Sequence, residues 1–272
     1  MQKAFLETNA INRFLDEKIN GKEVRAILSC HGYSPVIGLH VVYELAQTFL
    51  SGNSDDTARN LFEVVRDLDP DISEAPEVVL KREYTKYLHG TEVVCFLCGD
   101  REAETRQEII KLSNGIFDDN ARNFISTRHE CFRKDHPVTG QANVRAFLDE
   151  PPNEKLRSFE DVCKYYENRI PELIEQILKG IASPSQALDM AGKLNNFPLL
   201  KSTVMANLYL IFIAIVNKNT PATDKVDDHR HIIEASYCDV FVTEEKQLLS
   251  NARKINSSLR PMKWSTMATM NS

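Results

Sequence analysis

The chain has 272 residues, 42% hydrophobic and 26% charged, with a net charge of −6 and a pI of about 5.7. That composition is ordinary for a globular protein, and the length suffices for one large or two small domains with a sizeable core. The acid excess excludes a generally basic protein that coats nucleic acid, while leaving room for a local basic patch.

The first apolar run, KAFLET (3–8), predicts a strand. It feeds a helix in NAINRFLDEKIN (9–20), with Asn9 as the expected N-cap. A second helix follows in 21–33, ending near Gly32, then a strand in SPVIGLH (34–40). VVYELAQTFLSG (41–52) has apolar residues at helical spacing and a Gly near its end. From about 54 to 217 the pattern is mostly helical, with helices expected over 55–68, 76–88, 101–114, 157–180 and 196–217. EVVCFLCG (92–99) reads as a strand and DEPPNE (149–154) as an internal linker. The most apolar stretch, NLYLIFIAIV (207–216), is too short to span a bilayer and reads as a buried helix, so no membrane partner is expected. The last segment predicts a helix in 227–238, a strand in DVFVT (239–243), a helix in 244–255 and a strand in RPMKW (260–264).

Strands followed by helices at both ends imply a single α/β domain whose central parallel sheet is assembled from the two termini. The core would come from 1–53 and 218–272, with 54–217 as a largely helical insertion or cap.

The six cysteines, Cys30, Cys95, Cys98, Cys131, Cys163 and Cys238, are scattered through the chain. Together with the lack of a charged leader before an apolar run, they suggest reduced thiols and a cytoplasmic location. Cys95 and Cys98, with His129, Cys131 and His136 (of TRHECFRK and the residues after it), could be drawn as a zinc site. A single C-x-x-C without a second pair makes buried thiols the commoner outcome.

Acids stand at the expected carboxyl ends of the strands, where ligands bind in open α/β sheets. Glu7 closes the first strand, Glu44 lies early in the helix after the second, and Glu244 and Glu245 follow DVFVT. Asp224, Asp227 and Asp228 open the helix leading into that strand. Oxygen donors at this density suit Mg2+ or Mn2+, and two such ions can serve phosphodiester hydrolysis. Taken singly, each acid is also what a helix N-terminus favours through its dipole.

The order of these pieces resembles the PIN domain, a Mg2+/Mn2+-dependent nuclease fold. FLETN is similar to the family's opening strand, which ends in Asp-Thr/Ser-Asn, and places Asn9 as a supporting residue. IGLHVVYEL looks like the passage carrying the second acid. DDHRHIIEASYCDVFVTEEKQLL resembles the closing block, in which an Asp opens a helix and a strand ends in Thr-x-Asp. The resemblance implies a three-layer α/β/α fold and a four-carboxylate metal site made of Glu7, Glu44, Asp228 and Glu245, with Thr243 before the last. Glu stands where Asp is usual at 7 and 245, and the longer side chain alters reach in a site where Mg2+ demands near-octahedral geometry. Glu244 and Asp227 are the neighbouring alternatives, Asp224 an outer acid, and His231, three residues after Asp228, a supporting group on the same helix face.

The activity implied is endoribonuclease cleavage of single-stranded RNA, as a toxin or defence nuclease, with an antitoxin or other protein partner and a homodimer as the associated expectations. From Lys246 to the C-terminus there are five cations, Lys246, Arg253, Lys254, Arg260 and Lys263, and no acid. Such a basic helix and tail beside the acids would suit phosphate binding. The competing expectation is a catalytically weak or inactive PIN-like scaffold that binds through its helical insertion. A phosphatase-type hydrolase is disfavoured because no Asp-x-Asp pair follows the first strand.

Overall fold

A computed structural model describes residues 1–51, 55–123, 125–126, 152, 155–217 and 223–269, without the side chains of 217, 223–225 and 227. The chain folds as an α/β protein around a five-stranded, all-parallel sheet. The strands are β1 (Gln2–Leu6), β2 (Tyr33–Gly38), β3 (Asp71–Ser73), β4 (Val240–Val242) and β5 (Arg260–Met262), in the spatial order β3-β2-β1-β4-β5. The expected assembly from both ends is thus present. The register is Phe5 opposite Val36 on one side and opposite Phe241 on the other. Strand order reverses between β1 and β4, which makes the carboxyl ends of those two strands the switch point of the sheet.

The helices named here are α1 (Thr8–Asp16), α2 (Gly21–Cys30), α3 (Leu39–Gln47), α4 (Asp55–Leu68), α5 (Pro76–His89), α6 (Gly99–Ser113), α7 (Phe159–Tyr165), α8 (Ile170–Ile177), α9 (Pro184–Gly192), α10 (Pro198–Asn217), α11 (Thr223–Glu234), α12 (Lys246–Ile255) and α13 (Trp264–Thr269). One group, α1, α2, α4 and α6, packs together with α2 against β2. A second group, α10, α11 and α12, lies together with α11 touching α3. This arrangement is consistent with three layers. Phe5 of β1 stacks on Phe241 of β4 at 5.8 Å between ring centroids and lies 6.5 Å from the His231 ring of α11. These two buried aromatic rings mark the sheet face toward α11, and each contributes about 1.5–3 kcal/mol by burial. Phe14 of α1 meets Trp264 of α13 edge-on at 4.6 Å.

Several expectations are corrected. The sheet takes its fifth strand, Asp71–Ser73, from inside the segment read as a purely helical insertion. The expected strand over 92–99 reduces to one antiparallel bridge, Ser73 with Phe96, supported by Glu74 N–H to Cys95 O at 2.9 Å and Leu97 N–H to Ile72 O at 2.8 Å. The single helix expected over 157–180 is two helices separated by a 3-10 turn at Glu167–Arg169. Pro171 is the cause, since its ring would clash with the carbonyl four residues earlier in a continuous helix. Asn9 does not cap α1. The helix begins one residue before it, and Glu7 is the cap, its carboxylate accepting from Asn9 N–H at 3.0 Å.

The apolar run 207–216 belongs to the 20-residue helix α10, whose Pro198–Val216 stretch is long and apolar enough to cross a bilayer. That corrects the length argument. The helix nonetheless packs against α5, α7, α8, α11 and α12, and Leu200, Val204, Leu208 and Ile211 are buried. A helix apolar all round is what the centre of a helical layer requires. The basic segment 127–134 with His129 and Cys131, His136, and most of the linker 149–154 lie outside the described residues.

Candidate functional site

The carboxyl edge of the sheet collects charged groups because each strand there hands over to a loop or helix N-terminus. After β1 comes Glu7, buried at 3% exposure. Its Oε2 accepts from the Asn9 backbone and, at 2.8 Å, from the hydroxyl of Thr243, the residue that follows β4. Thr243 is itself fully buried, donates its backbone N–H to Met262 O at 3.2 Å, and accepts Glu245 N–H at 3.1 Å. One hydroxyl therefore ties the ends of β1 and β4 together.

After β2 the chain turns at Gly38 directly into α3, which places His40 and Glu44 four residues apart on one helix face. Glu44 Oε1 lies 3.3 Å from His40 Nε2, and Glu44 Oε2 lies 3.0 Å from His231 Nε2 of α11. The hydroxyl of Thr8 donates to Glu44 Oε2. His231 Nε2 stands 3.9 Å from Glu7 Oε1, so it lies between the two acids. The His40 and His231 rings are 5.0 Å apart. His40, Glu44 and His231 each offer a donor atom, all within 4.8 Å of one another.

These contacts set the charges. Burial pushes the Glu7 carboxyl up, against the pull of the His231 charge and the hydrogen bonds from Thr243 and Asn9. Burial would also raise Glu44, but the His231 charge and the hydrogen bonds from both histidines outweigh it and hold Glu44 well below the usual carboxylate range. Burial would lower His231; the charge and hydrogen bond of Glu44, then the charges of Glu7 and Glu234, overcome it and raise His231 to about 9. His40 goes the other way, to about 4, because burial dominates and the charges of His231 and Arg230 add to it against Glu44. At neutral pH the cluster is an ionised Glu44 with a protonated His231 and a neutral His40.

Glu234, 194 residues from His40 in sequence, completes the surroundings. It is buried, and its Oε1 accepts His40 N–H at 3.4 Å at the N-terminus of α3, where the dipole favours an anion. Arg230 Nε lies 3.8 Å from the same oxygen. Burial raises this carboxyl to about 7 despite Arg230 and His231. Gly38 makes the approach feasible: a Cβ there would lie 1.7 Å from Glu234 Oε2. Two buried atoms here, Glu234 Oε2 and His231 Nδ1, have no hydrogen-bond partner among the described residues. Leaving such atoms unpaired costs about 1–3 kcal/mol each.

Of the four acids expected to bind metal, Glu7 and Glu44 are brought together through His231. Asp228 is half-buried one helical turn before His231, and Glu245 is half-buried at the N-cap of α12, two residues after Thr243. Glu244 accepts from Ser265 N–H at 3.0 Å at the start of α13. Asp224 and Asp227 lie on α11, but their side chains fall outside the described residues. Cys95 is half-buried and Cys98 exposed, and both are free thiols.

The basic residues divide. Lys246 opens α12 and Lys263 follows β5, both at the carboxyl edge. Arg253 and Lys254 end α12, and Arg260 opens β5 opposite Val240, with its guanidinium 5.6 Å over the Tyr33 ring at the start of β2. Those three lie toward the amino edge, because a helix that follows a parallel strand runs back along the sheet. The expected basic helix and tail beside the acids is therefore reduced to Lys246 and Lys263.

Sequence reasoning missed His40, Thr8 and Glu234. The His40–Glu44 spacing was a usable signal, but only once α3 is known to start at Leu39. The site and fold together define an α/β protein with a buried carboxylate–histidine cluster at its switch point. Comparison with known proteins gives no match: no family model fits the chain, and no curated protein or solved structure is significantly similar to it.

Proposed function

We propose that the protein is a PIN-like, divalent-metal-dependent nuclease acting on single-stranded RNA. The observation that supports this most is the convergence of Glu7 and Glu44 on His231 beside the β1/β4 switch point. The order of acids along the chain, Glu7, Glu44, Asp228 and Glu245, supplies the nuclease resemblance. A cation held there by Glu7 and Glu44 would supply charge for activating water and stabilising the leaving oxygen. Mg2+ or Mn2+ is the pair of ions that the resemblance implies.

The chain's own groups do the positioning. Thr243 and the Asn9 backbone fix the Glu7 carboxylate. Thr8, His40 and His231 fix Glu44. His231 Nε2 stands 3.0 Å from Glu44 Oε2 and 3.9 Å from Glu7 Oε1, which holds the two acids in register across β1, α3 and α11. Lys246 and Lys263 are the cations available for phosphate at this edge.

The test is incubation of the full chain with labelled single-stranded RNA and DNA, with Mg2+, Mn2+ or chelator. Glu7→Gln, Glu44→Gln and Asp228→Asn are run beside it with their folds checked by circular dichroism. Cation-dependent cleavage lost in Glu7→Gln and Glu44→Gln is expected. Cleavage surviving in both, or absent with every cation, overturns the reading. A second reading, a scaffold that binds through its helical segment, is favoured by one observation: three of the five basic residues lie toward the amino edge, opposite the acids. It predicts no cleavage and no cation retained at millimolar concentration.

A further inference from the structure

We propose that His40 Nε2, Glu44 and His231 Nε2 form a binding site for a borderline transition-metal dication, Zn2+ or Fe2+ ahead of Mg2+. The inference rests on the metal-dependent reading above for the place of the ion, and changes the ligand set from carboxylates alone to two imidazoles and a carboxylate.

Three observations support it. The first is spacing. Ligands about 2.1 Å from a common ion stand roughly 3.0–3.5 Å apart in tetrahedral or cis-octahedral arrangements. Glu44 already presents one oxygen to each imidazole at such separations, 3.0 Å to His231 Nε2 and 3.3 Å to His40 Nε2. All three donor groups fall within 4.8 Å. The second is rigidity. His40 and Glu44 share one face of α3, His231 comes from α11, and these two helices pack against each other at the switch point. The donors are therefore held by packed helices rather than by loops. The third is access. The His40 and His231 side chains are 3% exposed but that of Glu44 is 28% exposed, so the cluster is closed on the imidazole side and opens to solvent at Glu44.

The donor chemistry decides which ion. Imidazole nitrogen suits Zn2+ and Fe2+, whereas Mn2+ and Mg2+ favour oxygen donors, Mg2+ in a near-ideal octahedron. Glu7, with Oε1 3.9 Å from His231 Nε2, stands just outside the three, placed to accept from a water on the ion. Glu234 binds the backbone of His40 and holds the start of α3 in place.

The experiment uses the full chain, stripped with chelator and dialysed separately against Zn2+, Mn2+ and Mg2+, with bound metal measured by mass spectrometry. One equivalent of Zn2+ is expected, with affinity on the order of a hundredfold above that for Mg2+. His40→Gln and Glu44→Gln should each weaken Zn2+ binding by at least about tenfold. Substitution with Co2+ gives a second readout on the unmutated protein. Visible d–d bands without a thiolate charge-transfer band place the ion on nitrogen and oxygen rather than on Cys95 or Cys98. Equal affinity for Mg2+ and Zn2+, a thiolate band, or unchanged Zn2+ binding in a folded His40→Gln overturns the site. The nuclease reading fails separately: retained Zn2+ with no RNA cleavage sinks that reading alone, and Mg2+-supported cleavage by a protein that does not retain Zn2+ sinks this one alone.

Discussion

Two buried acidic centres lie on different parts of this molecule and are built differently. Glu83 of α5 is 1% exposed, and its carboxylate accepts Leu199 N–H at 2.8 Å, Leu200 N–H at 2.9 Å and the Tyr237 hydroxyl at 2.6 Å. It caps the N-terminus of α10 from another element and has its oxygens well supplied. The Glu44–Glu234 centre at the sheet edge buries Glu234 and His231 as deeply but opens to solvent at Glu44, Glu234 Oε2 and His231 Nδ1 remain without partners among the described residues, and its histidines have pKa values displaced in opposite senses. The two carboxylates thus differ in kind: Glu83 has both oxygens supplied by the N–H groups it caps, whereas Glu234 keeps one oxygen unsupplied.

The contrast can be broken by substitution. Glu83→Ala should have the largest effect, about 3–5 kcal/mol of stability, because it leaves two helix N–H groups and a hydroxyl unpaired in the interior. Urea unfolding measures it, and metal retention by the folded fraction should be unchanged. Gly38→Ala comes next, at about 2–3 kcal/mol, from the collision of the new Cβ with Glu234. Most of that loss should vanish in a Glu234→Ala background, a coupling that a double-mutant cycle reads directly. If the loss persists there, the close approach of Gly38 and Glu234 is not its cause.

Smaller still is the pH effect. The Glu234 carboxyl rises from its ordinary 4.5 to about 7 in the folded chain, so its contribution is fully present below about 4.5 and is lost as pH climbs through 7. Glu234→Gln should therefore flatten the fall in stability between about pH 4.5 and 7 in chelated protein, measured as urea midpoints at pH 5 and 8. His231, raised to about 9, contributes in the same sense over a higher window: present below about 6.5 and lost as pH passes 9. Glu44 has the opposite sign, its contribution disappearing as acid protonates a carboxylate held below its usual range. Lys254→Ala is the smallest change. It removes an exposed ammonium 5.3 Å over the Tyr209 ring, worth about 0.5–1 kcal/mol, and should not alter the site.

β1, β2 and β4 were legible because each is a short, largely apolar run beside a periodic helix, and β5 from its place after the helix that follows β4. β3 was not, because Asp71-Ile72-Ser73 has one apolar residue and becomes a strand only by pairing with Val36–Gly38. Glu7 and Glu44 were legible from their place after strands. His40 was hidden by a boundary: reading the second strand to residue 40 puts the histidine in extended chain, where it bears no relation to Glu44. Glu234 was hidden by distance, since nothing local links it to the turn at Gly38. The basic tail misled because linear proximity to Glu245 says nothing about which edge of the sheet a helix returns to.

The pairing of β1 with β4 has a consequence for how this chain is made. Phe5 must wait for Phe241, and at roughly 5–20 residues per second some 236 residues take about 12–47 s to synthesise. Throughout that interval β1 has one flank open, an apolar edge able to template pairing with other chains. The same wait keeps Glu7 apart from Thr243, and Glu44 apart from His231. The nascent polypeptide thus cannot assemble this centre until residues 231–243 have left the ribosome, so the cluster forms late in synthesis however early its first half is made.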